Sequence, residues 1–177
     1  MRILRRLLVP SNLVLPGYLL VAIAVTFPLV LHLGTHIPGD ASTTDPLFHV
    51  WFSHWFGVAL GQLHNPYHAC SVLFPVGSVD FLVKNGTCLN AALTTPFQPL
   101  VGVVAAVNLV AIGVLVFNAW AMYRLVLYLT GHRLAAFLAG VILSTLPYVH
   151  FLLGALNMDQ LSIGWALFYV LFLLRTL

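Results

Sequence analysis

Of the four acidic residues in this 177-residue chain, two fall within one run, Pro38-Gly39-Asp40-Ala41-Ser42-Thr43-Thr44-Asp45-Pro46-Leu47-Phe48-His49-Val50-Trp51-Phe52-Ser53-His54-Trp55. A fixed carboxylate next to a hydroxyl can take its proton as that oxygen attacks, which makes Asp45 and Asp40 candidates for a general base. Asp45 and His49 are spaced Asp-x3-His, one helical turn apart, and this spacing can also supply two ligands to a metal. His54 lies further along the same segment. Asp159, in Asn157-Met158-Asp159-Gln160, is a possible second acidic site, and Lys84 is the only lysine and a possible phosphate contact. Each has a plainer use: Asp45 before Pro46 as a helix N-cap, Asp40 after Gly39 as a turn residue, Asp159 as a cap, the histidines as interfacial polar groups, Lys84 as a solvated side chain.

These residues have to be positioned by a very apolar polypeptide. The hydrophobic fraction is 61%, the charged fraction 6% and the mean hydropathy +1.02, against about 25% charged residues in a soluble domain. The chain therefore reads as an all-α integral membrane protein. Runs of about twenty apolar residues suit helices crossing about 30 Å of hydrocarbon, whereas a barrel would show short alternating segments. A net charge of +3 comes from scattered juxtamembrane bases and gives no basis for nucleic-acid binding.

Arg2, Arg5 and Arg6 precede an apolar run at 13–33, too long for the core of a signal peptide and closed by no small-residue cleavage site. It reads as a first transmembrane helix with a cytoplasmic N-terminus. Residues 34–99 then form a long external loop with interfacial helices, one starting at Asp45 and another between Thr87 and Thr95. In the first of these, Phe48 with Phe52 and Trp51 with Trp55 stand at i,i+4. Further spans are expected at 100–127, 134–153 with a kink at Pro147, and 161–174, so that every arginine lies inside and every aspartate outside. The end of the chain two residues after Arg175 reads as that of a fragment or truncated frame of a longer protein, with a small four-helix protein as the alternative. Cys70 and Cys88 in the external loop either form a disulfide or remain two thiols. Asn85-Gly86-Thr87 fits the glycosylation acceptor pattern.

Several chemistries have no motif here. The chain has no His-Glu-x-x-His zinc site, no Gly-rich phosphate loop and no Gly-x-Ser-x-Gly elbow. Charged residues do not line mid-span positions, as proton-driven transport usually requires.

The N-in first helix, the loop opening with Gly39-Asp40 and Thr44-Asp45-Pro46-Leu47-Phe48, and the interfacial helices that follow resemble the polyprenyl-phosphate-sugar-dependent GT-C glycosyltransferase superfamily. Asp45-Pro46-Leu47-Phe48 is similar to the Asp-Pro-Tyr-Phe element of oligosaccharyltransferase catalytic subunits. Phe74-Pro75-Val76-Gly77, Gly154-Ala155-Leu156-Asn157 and Trp165 are similar to stretches of bacterial membrane proteins of the mannosyltransferase and YfhO-like type. The chain departs from that pattern in having about four spans where the superfamily has eight or more. The resemblance implies the N-terminal part of a hexosyltransferase in a bacterial inner membrane, moving a sugar from a polyprenyl-phosphate donor to an extracytoplasmic acceptor. It implies Asp45 as the loop acid, with Asp40 as its rival, either as general base or as ligand of a divalent metal ion. Asp159 would be the second acid, and Lys84, His49 and His54 the groups available to phosphate or substrate. Membrane lipid, the lipid-linked sugar and a missing C-terminal part or partner subunit are the implied partners. A non-catalytic membrane scaffold or assembly subunit, and part of a transporter, are the alternatives from other classes.

Overall fold

The structure, a computed structural model, describes residues 13–39, 45–73, 75, 77–80 and 88–177, with only the backbone described at 45, 70–73 and 78–80. The described residues are mostly helical. In chain order they form α1 (Val14–Val25), a 3-10 turn (Leu29–Leu31), α2 (Asp45–Gly61), a hairpin of β1 (His68–Leu73) and β2 (Gly77–Asp80), then α3 (Cys88–Thr94) and α4 (Gln98–Val101). The chain continues as α5 (Val103–Thr130), α6 (Arg133–Ser144), α7 (Pro147–Gly154), α8 (Met158–Leu161) and α9 (Gly164–Thr176). The hairpin is antiparallel, pairing His68 with Asp80 and Leu73 with Gly77 around an irregularity between them.

Two stretches are long and apolar enough to cross a membrane, Val103–Thr130 and Met158–Thr176, and a third exists if the bent pair α6 and α7 is one span. That is two such stretches, or three with the bent pair, among the described residues, fewer than the four expected. The shortfall lies at α1, whose 12 described residues rise about 18 Å at about 1.5 Å each. The helix stops at Val25, and Thr26 turns its hydroxyl back onto the Ala22 carbonyl at 2.8 Å. Pro28, which has no N–H to continue the helix, follows. The second departure is a bend of 45° between α6 and α7. It falls at Thr145-Leu146, where Pro147 opens α7 and Leu146 is extended.

α5 is the axis of the fold. It lacks Gly and Pro except at Gly113 and is bounded by Gly102 (φ +83°) and Gly131 (φ +67°). At Gly131 the left-handed residue closes the helix with its N–H on the Leu127 carbonyl. Around it, α1 and α6 run antiparallel and α9 parallel. Tyr18 of α1 packs with Tyr123 and stacks on Phe137 of α6 at 4.9 Å, its hydroxyl donating to the Phe137 carbonyl at 3.1 Å. At the other end of α1, the Asn108 Nδ2 donates to the carbonyls of Leu33 and His36, each at 2.7 Å. Trp165 and Phe168 of α9 meet Phe117 and Trp120 in the same order along α5, and the Tyr128 hydroxyl donates to the Leu174 carbonyl at 3.1 Å.

The main core joins Ala22, Val107, Ala111 and Leu115 to Val149, Leu152, Leu156 and Leu161. A second core is built by the connecting segment itself, where Phe52 and Phe56 of α2 pack with Ala69 of β1 and Ala91 of α3. The i,i+4 aromatic pairs of α2 are in contact: Trp51 and Trp55 lie parallel within 1° at 6.4 Å, and Phe48 stacks with Phe52 at 6.2 Å. The described α2, β1 and α3 thus form a packed unit, with α2 and α3 seated against α5.

Candidate functional site

α2 begins at Asp45, where the sequence places a helix start, and Pro46 is fully buried. The turn at Pro38-Gly39 approaches from the end of α1. Gly39 has φ +112° and its Cα presses so closely on the Gly154 carbonyl that a Cβ would overlap it, while Pro46 Cγ lies 3.2 Å from the same point. Only glycine tolerates both the backbone angle and the approach. The start of α2, the turn before it and the C-terminal end of α7 therefore meet at one place.

Beyond Gly154 the chain turns through Leu156, at φ 47°, into α8. The cap of α8 is Asn157, whose Oδ1 accepts from the Gln160 N–H at 3.5 Å. Asp159 is therefore not the cap; it stands exposed in the first helical turn, and its carboxylate is not consumed by the helix end. Asp40 and Lys84, like the Asn85-Gly86-Thr87 triplet, lie outside the described residues, as does the Asp45 side chain.

The two histidines of α2 separate. His49 is half-buried and lines a cavity of about 10 Å³ with Ser53, Asn90, Thr94 and Met158, the last being the chain neighbour of Asp159. That volume is near the room one water needs. His54 is exposed, five residues further along the helix and so turned to another side. The Gln98 Nε2 braces this region, donating to the Ser53 carbonyl at 2.8 Å and the Thr94 hydroxyl at 3.3 Å.

The Cys70 side chain is outside the described residues, so the Cys70–Cys88 pairing is too. The Cys88 thiol meets the Tyr67 phenol. That side-chain hydrogen bond, with smaller contributions from burial and from the thiol's charge, raises the phenol above the usual tyrosine range.

An apolar cleft of about 410 Å³ runs between α3, α5 and α9, lined by Leu93, Phe97, Leu109, Val114, Phe117 and Trp165. Among the described residues no group of three His, Cys, Asp or Glu side chains is placed to hold a metal ion. The three described arginines gather at the other end of the bundle: Arg124 sits over the Trp120 ring at 5.7 Å, Arg175 over the Tyr128 ring at 5.4 Å, and Arg133 opens α6. From Asn108 to Tyr128 is about 30 Å along the helix.

The sequence reading passed over His32, His36 and His150, which the fold brings to one cleft beside the Gly39–Gly154 contact. The visible signal was the His32-x3-His36 spacing just after the first apolar run; nothing in the sequence joins His150 to it. No protein-family model, curated protein or solved structure matches this chain. The chain is a mostly helical protein with the composition and helices of a membrane protein.

Proposed function

We propose that this chain is the N-terminal part of a GT-C-like membrane glycosyltransferase, with residues 13–33, 100–127, 134–153 and 161–174 as four crossings and the N-terminus in the cytoplasm. One observation supports the reading: Gly39 and Pro46, the residues on either side of Asp40 and Asp45 in the sequence, meet Gly154, which opens the turn that leads to Asp159. Support for the sidedness comes from the arginines gathered at the opposite end, since positive charge stays cytoplasmic. The apolar cleft between α3, α5 and α9 offers walls compatible with a lipid chain.

In this reading an acceptor hydroxyl attacks the anomeric carbon of the lipid-linked sugar. The new C–O bond forms as the bond to phosphate breaks, polyprenyl phosphate departs, and the Asp45 carboxylate takes the hydroxyl proton. The scaffold reading draws less support, because Trp51 and Trp55 stack on each other and the Trp55 Nε1 donates to the Pro66 carbonyl at 2.9 Å, using their surfaces internally.

The test is transfer of labelled hexose from a polyprenyl-phosphate donor by membranes carrying the full-length protein. Asp45→Asn lowers transfer by about 10²–10⁴ on this reading; intact transfer in both Asp45→Asn and Asp40→Asn refutes it.

A further inference from the structure

A second cleft, of about 320 Å³, opens between the end of α1, the 3-10 turn, residues 36–38 and α7. This is within the size range of small-molecule sites, about 300–1,000 Å³. Val25, Leu29, Ile37 and Leu153 make its walls apolar, and His32, His36 and His150 stand exposed around it. The rings of His32 and His36 are 4.7 Å apart. Among the described residues these imidazoles are the only ionisable side chains lining the cleft; none of the described lining residues is Asp, Glu, Lys or Arg.

Hydrogen bonds orient two of the rings. The His150 Nδ1 lies 3.1 Å from the Leu146 carbonyl, which can only accept, so Nδ1 carries a proton and Nε2 is left for a ligand. When Nε2 is protonated too, the ring is a cation with a donor to offer. The His36 Nδ1 is engaged by the Thr35 hydroxyl at 2.9 Å, again leaving Nε2. A metal is not the matching ligand, because the three rings are not disposed to share one. A free inorganic anion would meet mostly apolar wall. An amphiphile with an anionic head and an apolar chain matches both parts, its chain remaining in apolar surroundings while the imidazoles donate charge-assisted hydrogen bonds to its head.

We propose that this cleft binds a phosphate-bearing lipid, with the phosphate held by His32, His36 and His150 and the chain against Leu29, Ile37 and Leu153. The proposal does not rest on sugar transfer: Asp45→Asn leaves lipid binding intact if both readings hold, and the histidine variants are read by binding alone.

The experiment uses the full-length protein in detergent and two probes with identical chains, dioleoyl phosphatidic acid and dioleoylglycerol, with inorganic phosphate as competitor. The expected result is phosphatidic acid binding about tenfold or more tighter than dioleoylglycerol. His32→Gln/His36→Gln/His150→Gln removes that preference and leaves dioleoylglycerol binding unchanged. Ile37→Trp, which fills the cleft, weakens both lipids. Equal binding of the two lipids by the unmodified protein, an unchanged preference in the histidine variant, or displacement by inorganic phosphate at concentrations equal to the lipid overturns the proposal. Should the triple variant fail to fold, His150→Gln alone gives the same reading through a partial loss of preference.

Discussion

The carboxamide of Asn118 holds the start of α9 to the middle of α5: its Oδ1 accepts the Gly164 N–H at 2.7 Å, and its Nδ2 donates to the Leu161 carbonyl at 2.6 Å. Asn118 is buried among apolar neighbours, at 2% exposure. The two backbone groups it satisfies belong to the break between α8 and α9, where the helical ladder is interrupted and water is excluded. A single side chain thus makes the break tolerable in an apolar setting, and so fixes the parallel placing of α9 on which the turn carrying Asp159 depends.

Replacing Asn118 by Leu keeps the approximate volume and removes both bonds. The expected loss is about 1–3 kcal/mol, the cost of leaving a buried polar group unsatisfied. Unfolding in mixed micelles, followed by helical ellipticity, measures it. Stability unchanged by the substitution would mean that the break is satisfied in some other way.

Glycines on α5 and α6 differ in what surrounds them. A Cβ at Gly140 would run into the Tyr18 hydroxyl and reach the Ala119 carbonyl at 2.6 Å, whereas at Gly113 nothing lies within 4 Å. Gly140→Ala should therefore push α6 away from α1 and α5, costing about 1–3 kcal/mol. Gly113→Ala should be neutral or stabilising by about 0.5–1 kcal/mol through its backbone entropy. The same unfolding assay ranks the pair, and equal effects would contradict the close packing at Gly140.

The candidate acids and histidines should separate kinetically. Asp45→Asn is expected to lower hexose transfer by about 10²–10⁴, the usual contribution of a general base. His54→Ala should leave the rate unchanged, because His54 faces away from the His49 cavity and is exposed. Steady-state transfer by membranes containing the full-length protein measures both. Equal losses from Asp45→Asn and His54→Ala would point to damaged folding rather than lost chemistry.

Local signals were legible in the sequence. Thr44-Asp45-Pro46 announced the start of α2, Pro96 followed the end of α3, and the i,i+4 aromatics of α2 meet as their spacing implies. Hydropathy located α5, because a 28-residue run without charge until Arg124 leaves little choice. Hydropathy read 13–33 as one continuous helix, since apolar character does not reveal that α1 ends at Val25 and a 3-10 turn follows. The site was less legible. Asn157 rather than Asp159 caps α8, a choice between two capping residue types that only the backbone path decides. The approach of Gly39 to Gly154 and the gathering of His150 with His32 and His36 join residues more than 100 positions apart, and no periodicity encodes such contacts.

Sidedness follows from charge and is open to direct measurement. In a variant with Cys70 and Cys88 both replaced by Ser, Asp159→Cys and His132→Cys mark opposite ends of the bundle, each at an exposed position. His132 neighbours Arg133, and Arg124 and Arg175 belong to the same end, so the positive-inside rule puts position 132 in the cytoplasm and position 159 outside. A membrane-impermeant maleimide added to intact cells should label position 159 at once and position 132 only after the membrane is opened. Labelling of 132 alone in intact cells would invert the topology, and with it the access of Asp45 to an extracytoplasmic acceptor. Labelling of both would mean that the arginine end and the Asp159 turn are not separated by the bilayer, which would remove the four-crossing arrangement on which the transfer reading is built.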